Sequence, residues 1–156
     1  MTDRPIQSES SHGRVNLDCG LNDTFNFYAE DLAIVAEYCL PANSQRWGHY
    51  WLVILSDGRY CEWPTEIPAS PRAVKTLEEV VGEHLIPHLS ASNIPSSNVM
   101  WPKHLKGLQA VIIKTDTTSI FSRIAGDLIE PRFTMYWSDV VVAEIERLKA
   151  NHRMDS

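Results

Sequence analysis

Between residues 15 and 45 the chain has no lysine, arginine or histidine, while Asp18, Asp23, Glu30, Asp31 and Glu37 all fall in that stretch. The first 67 residues hold ten acids against Arg4, Arg14, Arg46 and Arg59. The remainder balances ten acids with ten lysines and arginines, so the whole formal charge of -6 belongs to the first part. A run without bases leaves a negative surface that its sequence neighbours cannot neutralise, and its natural complement is a basic partner. A broad nucleic-acid-binding face is excluded on the same grounds, because neutralising phosphates takes cations.

Cysteine is scarce. Cys19, Cys39 and Cys61 are odd in number, widely spaced and without a Cys-x-x-Cys, which suits reduced thiols in a cytoplasm better than a disulfide framework. Glycine is scarce as well, and the seven present form no phosphate loop, Gly-x-Ser-x-Gly or dinucleotide fingerprint. Long apolar runs are missing: Tyr50 to Leu55 and Val140 to Ala143 are far too short to cross a bilayer, so no membrane association is expected. The first residues lack the basic start and apolar stretch of a secretory signal. They are expected to form a flexible tail over 1–14 ahead of one globular domain over 15–156. With 44% hydrophobic residues in a chain of 156, that domain can bury a core without disulfides.

What is present reads as helix, hairpin, helix, strand, helix, strand, helix. From Asp23 or Thr24, the residues Phe25, Tyr28, Leu32, Val35, Ala36 and Cys39 recur at helical spacing up to Pro41, which predicts a helix over 24–40. The competing reading is an alternating strand with Leu32, Ile34, Ala36, Tyr38 and Leu40 on one face. Tyr50 to Leu55, Ser56-Asp-Gly-Arg59 and Tyr60 to Trp63 predict a tryptophan-rich β-hairpin over 50–63. A type I′ turn at Asp57-Gly58 would pair Leu55 with Tyr60, Ile54 with Cys61 and Leu52 with Trp63. Ser70-Pro71 opens a helix that Val74, Leu77, Val80, Val81 and Leu85 carry to about Ile86, before Pro87.

Ser90 to Gly107, rich in Ser, Asn and Pro, reads as an exposed loop, and Leu108 to Lys114 as a buried strand. Thr115 to Ser119 then starts a helix with Ile120, Phe121, Ile124 and Leu128 inward, ended by Pro131. Arg132 to Trp137 is a short strand, and Ser138 caps a final helix with Val141, Val142, Ile145 and Leu148 inward. The expected fold class is α+β, or mixed α/β, with about four strands and about four helices in one domain.

No motif points to specific chemistry. His84 and His88 have the spacing of a helical zinc pair, but Pro87 interrupts the turn and no third ligand is placed. Cys61 with His49 could suggest a thiol nucleophile, although the expected register does not set them opposite each other. Asp57 and Glu62 could suggest a metal-dependent nuclease, but the Glu-x-Lys such a core uses is missing. No metal or cofactor is therefore expected.

The sequence favours a small acidic cytoplasmic binding protein that occupies a basic site on another protein, as an inhibitor, an immunity-like neutraliser or an adaptor does. An enzyme acting on nucleic acid is the obvious class of partner. Asp18, Asp23, Glu30, Asp31 and Glu37 are the expected docking acids, with Trp47 and Trp101 as aromatic anchors. A small hydrolase or nuclease built from dispersed residues, a small-ligand sensor, and a homodimer burying the hairpin are the alternatives.

Overall fold

A computed structural model of the chain describes residues 13–20, 23–40, 48–92, 94–116 and 132–155. In chain order these form β1 (Arg14–Asp18), β2 (Thr24–Tyr28), β3 (Leu32–Cys39), β4 (His49–Leu55), β5 (Tyr60–Pro64), α1 (Ser70–Val81), β6 (Ser96–Trp101), β7 (Val111–Asp116), β8 (Arg132–Trp137) and α2 (Asp139–Met154). The fold is a mixed α+β domain around an antiparallel four-stranded sheet of order β5-β4-β3-β6, joined by the two-stranded sheets β1-β2 and β7-β8.

Residues 24–40 are strand, not helix. In β2, Phe25 and Phe27 turn inward while Thr24, Asn26 and Tyr28 face out, the two-residue period of a half-buried strand. A one-turn 3-10 segment, Ala29–Asp31, separates it from β3, whose eight residues are all buried. A strand covered on both faces shows no clean alternation, so its apolar run also satisfies a helical template. The strand reading placed Ile34, Ala36, Tyr38 and Leu40 together correctly. Leu32 falls on the other face, because the pairing with β4 shifts between Leu32 and Ile34.

The β4-β5 connection differs from its expected form. Gly58 N–H donates to Leu55 O (2.9 Å), Leu55 N–H donates to Arg59 O (2.8 Å), and Gly58 is left-handed at φ +90. The loop therefore spans Ser56, Asp57 and Gly58, the three-residue form ending on a left-handed glycine, rather than two residues in a type I′ turn. Pairing becomes Ile54 with Tyr60, Val53 with Cys61 and Trp51 with Trp63. A one-residue slip moves every β5 side chain to the other face: Cys61 and Trp63 join Trp51, Val53 and Leu55, and Tyr60 and Glu62 join Leu52 and Ile54. The hairpin carries one tryptophan on each arm, Trp51 and Trp63, so the tryptophan-rich description does not hold.

Two α-helices lie among the described residues, against about four expected. α1 stops at Val81 because Gly82 takes the left-handed cap conformation (φ 76) and donates its N–H to Glu78 O. Ser96–Trp101, expected within a loop, is the edge strand β6. Its polar residues are engaged internally: Ser97 Oγ donates to Val111 O and accepts from the N–H groups of Ala110 and Val111. β7 starts three residues later than expected and takes in Thr115 and Asp116. The rest of the helix expected from Thr115 onward, and most of the expected tail, lie outside the described residues. Ser138 caps α2 by accepting from Val141 N–H, as expected. Val142, however, is exposed, and Glu144 is buried in its place.

The central sheet separates two cores. On one face, Val35, Trp51, Val53, Leu55 and Trp63 meet Val15, Leu17 and Phe27 of the β1-β2 sheet and Ala73 and Leu77 of α1. On the other, Ile34, Ala36, Leu52, Ile54 and Val99 meet Val111 of β7 and Val141 of α2.

Candidate functional site

The five expected docking acids do not form one patch. Asp18 and Asp23 are exposed in the β1-β2 turn, where Asp18 Oδ1 accepts from Gly20 N–H at 3.0 Å. Glu30, exposed, and Asp31, half-buried, lie past the far end of β2, about 17 Å of strand away. Asp31 lines a shallow hollow with Ser56, Asp57 and the basic end of α2, Lys149, His152 and Arg153.

Glu37 is fully buried on the β1-β2 side of β3. Its Oε1 accepts from His88 N–H (2.7 Å) and Asn98 Nδ2 (3.0 Å), and its Oε2 from His49 Nε2 (2.7 Å) and Leu89 N–H (3.3 Å). His49 Nδ1 pairs in turn with the Thr65 hydroxyl, so both ring nitrogens are engaged. Burial pushes the Glu37 carboxyl upward, but the bonds from His49, His88 N–H, Asn98 and Leu89 N–H outweigh it and hold the pKa below the ordinary carboxylate value. Neither hollow described here reaches this carboxylate. It ties β3, β4, β6 and the segment after α1 together, and its lone pairs are all engaged.

Trp101 closes β6 half-buried and packs against the Trp51 core, so its ring is mostly a core component. Trp47 lies outside the described residues. His84 and His88 do not share a helical face, since α1 has ended before both. Exposed His84 stands 3.6 Å from Glu78, while the His88 backbone serves Glu37. Asp57 caps its own turn, with Oδ1 accepting from Arg59 N–H and Oδ2 from Arg59 Nε. Among the described residues no three His, Cys, Asp or Glu side chains gather as a metal site. Glu144 is held by both ends of the Arg147 guanidinium, with His104 3.3 Å away, and joins α2 to the loop after β6.

The residues that do converge are ones the sequence reading did not nominate. A cleft of about 320 Å³ opens on the β7-β8 side of the central sheet, between β5 and β8. Leu52 and Val111 form its floor. Tyr60 and Glu62 form one wall, Met135, Tyr136 and Trp137 the other, and Tyr38 stands at the back. Tyr60 and Trp137 meet edge to face with centroids 5.1 Å apart, a direct contact that joins β5 to β8 beside the cleft. The Tyr38 hydroxyl donates to Glu62 Oε2 at 2.7 Å, and its ring stacks on Tyr50 at 4.8 Å, so the carboxylate is aimed by a braced partner. Lys114 Nζ lies 5.3 Å from the Tyr136 ring centre, on the face of the β7-β8 sheet opposite Val111, Met135 and Trp137.

Glu62 is the one carboxylate among the described lining residues. Aromatic faces, an apolar floor and one oriented carboxylate suit a flat or cationic group; among the described lining residues no nucleophile stands beside a base. The missed signal was Tyr60-x-Glu62 alternating with Cys61 and Trp63, which marks two opposite faces of one strand once the register is known. No protein-family model, curated protein or solved structure matches this chain, so the cleft stands on its own geometry.

Proposed function

We propose that this chain is a small binding protein that takes a cationic side chain of a protein partner, an arginine, into the cleft between β5 and β8. The observation that carries this reading is Glu62 held by Tyr38 within walls of Tyr60, Tyr136 and Trp137. A guanidinium is planar, stacks on aromatic rings and pairs with a carboxylate through two parallel N–H donors, which a lysine cannot do. Exposed Tyr60, Met135 and Tyr136 supply contact area around the mouth. The net charge of -6 draws a basic partner in before contact. The chain then acts as an inhibitor, neutraliser or adaptor in the cytoplasm, and enzymes that grip nucleic acid, with arginine-lined grooves, are the partner class it complements. The expected acidic docking face is replaced by a cleft with distant acids as steering charge.

Calorimetric titration with a capped Gly-Arg-Gly peptide and its citrulline counterpart tests this. The arginine peptide is expected to bind at least tenfold tighter, more weakly as salt rises, and to lose that advantage in Glu62→Gln. Equal binding of both peptides would reject the cationic occupant and leave a site for neutral flat ligands, for which the cleft volume is also adequate.

A further inference from the structure

The two edges of the central sheet are finished differently. At the β6 edge, Val99 N–H donates to Leu108 O (2.8 Å), Gly107 N–H donates to Val99 O (2.9 Å), and Ser97 Oγ takes the N–H groups of Ala110 and Val111. The chain folds back over that edge and closes it. At the other end of the strand order, β5 pairs with β4 alone.

The ladder fixes which β5 groups face outward. Leu55 N–H donates to Arg59 O and Thr65 N–H donates to His49 O, so the hydrogen-bonded pairs between them are Val53 with Cys61 and Trp51 with Trp63. The alternation on β4 agrees, because Leu40 N–H donates to Gly48 O, which sets the main chain of Tyr50, Leu52 and Ile54 toward β3. The main-chain groups of Tyr60 and Glu62 therefore point away from the sheet. Among the described residues no turn or loop group bonds to them. Pro64, the next outward position, has no N–H, and its carbonyl accepts from Ile67 N–H (3.4 Å), so the open stretch ends there. The exposed side chains of Tyr60 and Glu62 stand over this stretch on the cleft face.

A strand added to this edge would set every second side chain over the same face. The residue opposite Glu62 then projects toward the carboxylate that Tyr38 holds. A second copy of β5 is a poor occupant. Antiparallel pairing of the open stretch with itself sets the two Glu62 carboxylates on one face within two strand positions, and the described lining residues of the cleft include no lysine or arginine to separate them. A charge on an edge strand opposes self-pairing and leaves the edge to a segment that brings its own cation.

We propose that the open edge of β5 receives an extended segment of the protein partner as an added antiparallel strand, with an arginine of that segment opposite Glu62. The inference rests on the cleft as the arginine site and adds how the partner's main chain is held. Tyr60 and Glu62 main-chain bonds supply affinity that is indifferent to sequence, and the cleft supplies the choice of arginine.

The test uses the wild-type chain and the capped peptide Val-Thr-Arg-Thr-Val, with N-methyl groups placed one at a time. In this register the N–H groups of the arginine and the final valine bond to β5, and that of the threonine between them faces solvent. N-methylation of the arginine or the final valine is expected to weaken binding about fivefold, and of the intervening threonine less than about twofold. Deuterium exchange at the Tyr60 and Glu62 amides should slow about tenfold at saturation, while Cys61 and Trp63, already bonded to β4, stay unchanged. Equal effects of all three N-methyl groups, or unchanged exchange at Tyr60 and Glu62 with peptide bound, would overturn strand addition, and a retained preference for arginine over citrulline would then keep the cleft reading. Slowed exchange with equal arginine and citrulline affinity would overturn the arginine assignment and the cleft reading with it. Slowed exchange at the same amides without peptide, growing with protein concentration, would give the edge to a second copy and overturn the proposal.

Discussion

The two faces of the central sheet solve burial differently. Toward β1-β2 and α1 the aromatics are sealed: Trp63 is 0% exposed and stacks on Trp51 at 6.4 Å, and its Nε1–H donates to Ser70 Oγ. Toward β7-β8 the centre is aliphatic, and aromatics gather at the β5 edge, where Tyr60 is 54% exposed. One acid from each face of the sheet shows the contrast. Glu37 is locked in the sealed face by four donors, and Glu62 is open in the cleft with one. Neither an aromatic nor an acid declares its role by type. Its role follows from the face it occupies, and the face follows from strand register.

Removing the interior acid breaks this comparison most severely. Glu37→Ala leaves His49, Asn98 and two backbone N–H groups without an acceptor in a buried site, an expected loss of about 3–5 kcal/mol in urea unfolding. Glu62→Ala, on the open face, is expected to cost under about 1 kcal/mol. Equal losses would remove the distinction between the two acids.

The same contrast has a pH signature. The Glu37 pKa is lower folded than unfolded, so its contribution is fully present above the unfolded value near 4.5 and fades as pH falls through the folded one. Wild type should lose stability steeply below about pH 4.5, and Glu37→Gln should flatten that part of the profile. An unchanged slope would assign acid sensitivity to other carboxylates.

Within the sealed face, the two stacked indoles should respond unequally. Trp63→Phe strands the buried Ser70 hydroxyl, for about 2–3 kcal/mol in total. Among the described residues Trp51 Nε1–H is the buried side-chain polar atom without a partner, so Trp51→Phe removes an unsatisfied donor and should cost about 1 kcal/mol less. A small stability effect is also expected at the other β5 residue of the cleft: Tyr60→Ala forfeits its contact with Trp137, about 0.5–1.5 kcal/mol, yet should abolish arginine-peptide binding.

Much of this was legible in the sequence, and the losses have identifiable causes. The place of the β4-β5 turn, the start of α1 and the Ser138 cap were readable because each rests on local chemistry: Asp57-Gly58, Pro71 in a first helical turn and a hydroxyl at a helix entrance. Ser70, expected as the N-cap of α1, instead lies inside it, with its hydroxyl accepting from Trp63 and Ala69 at the cap. β3 was not, because a strand buried on both faces loses the alternation that identifies it. β6 was hidden by Ser96, Ser97 and Asn98, whose polarity reflects interior hydrogen bonds, as Asn98 to Glu37 shows. The cleft depended on an even finer quantity, one residue of register, since Tyr60 and Glu62 share the face of Leu52 and Ile54 only if the turn has three residues rather than two. The acidic stretch was read correctly as composition, but its placement was not: Glu37 lies inside, and the β2 strand separates the rest.

The measurement that bears most directly on the cleft as the working site is a backbone-amide NMR titration with the capped Gly-Arg-Gly peptide. The account predicts saturable shifts centred on Tyr60 to Glu62 and Met135 to Trp137, lost in Glu62→Gln but kept when Asp18, Asp23 and Glu30 are changed to asparagine or glutamine. Shifts centred on those three acids with the cleft silent, or no saturable shift anywhere, would contradict it.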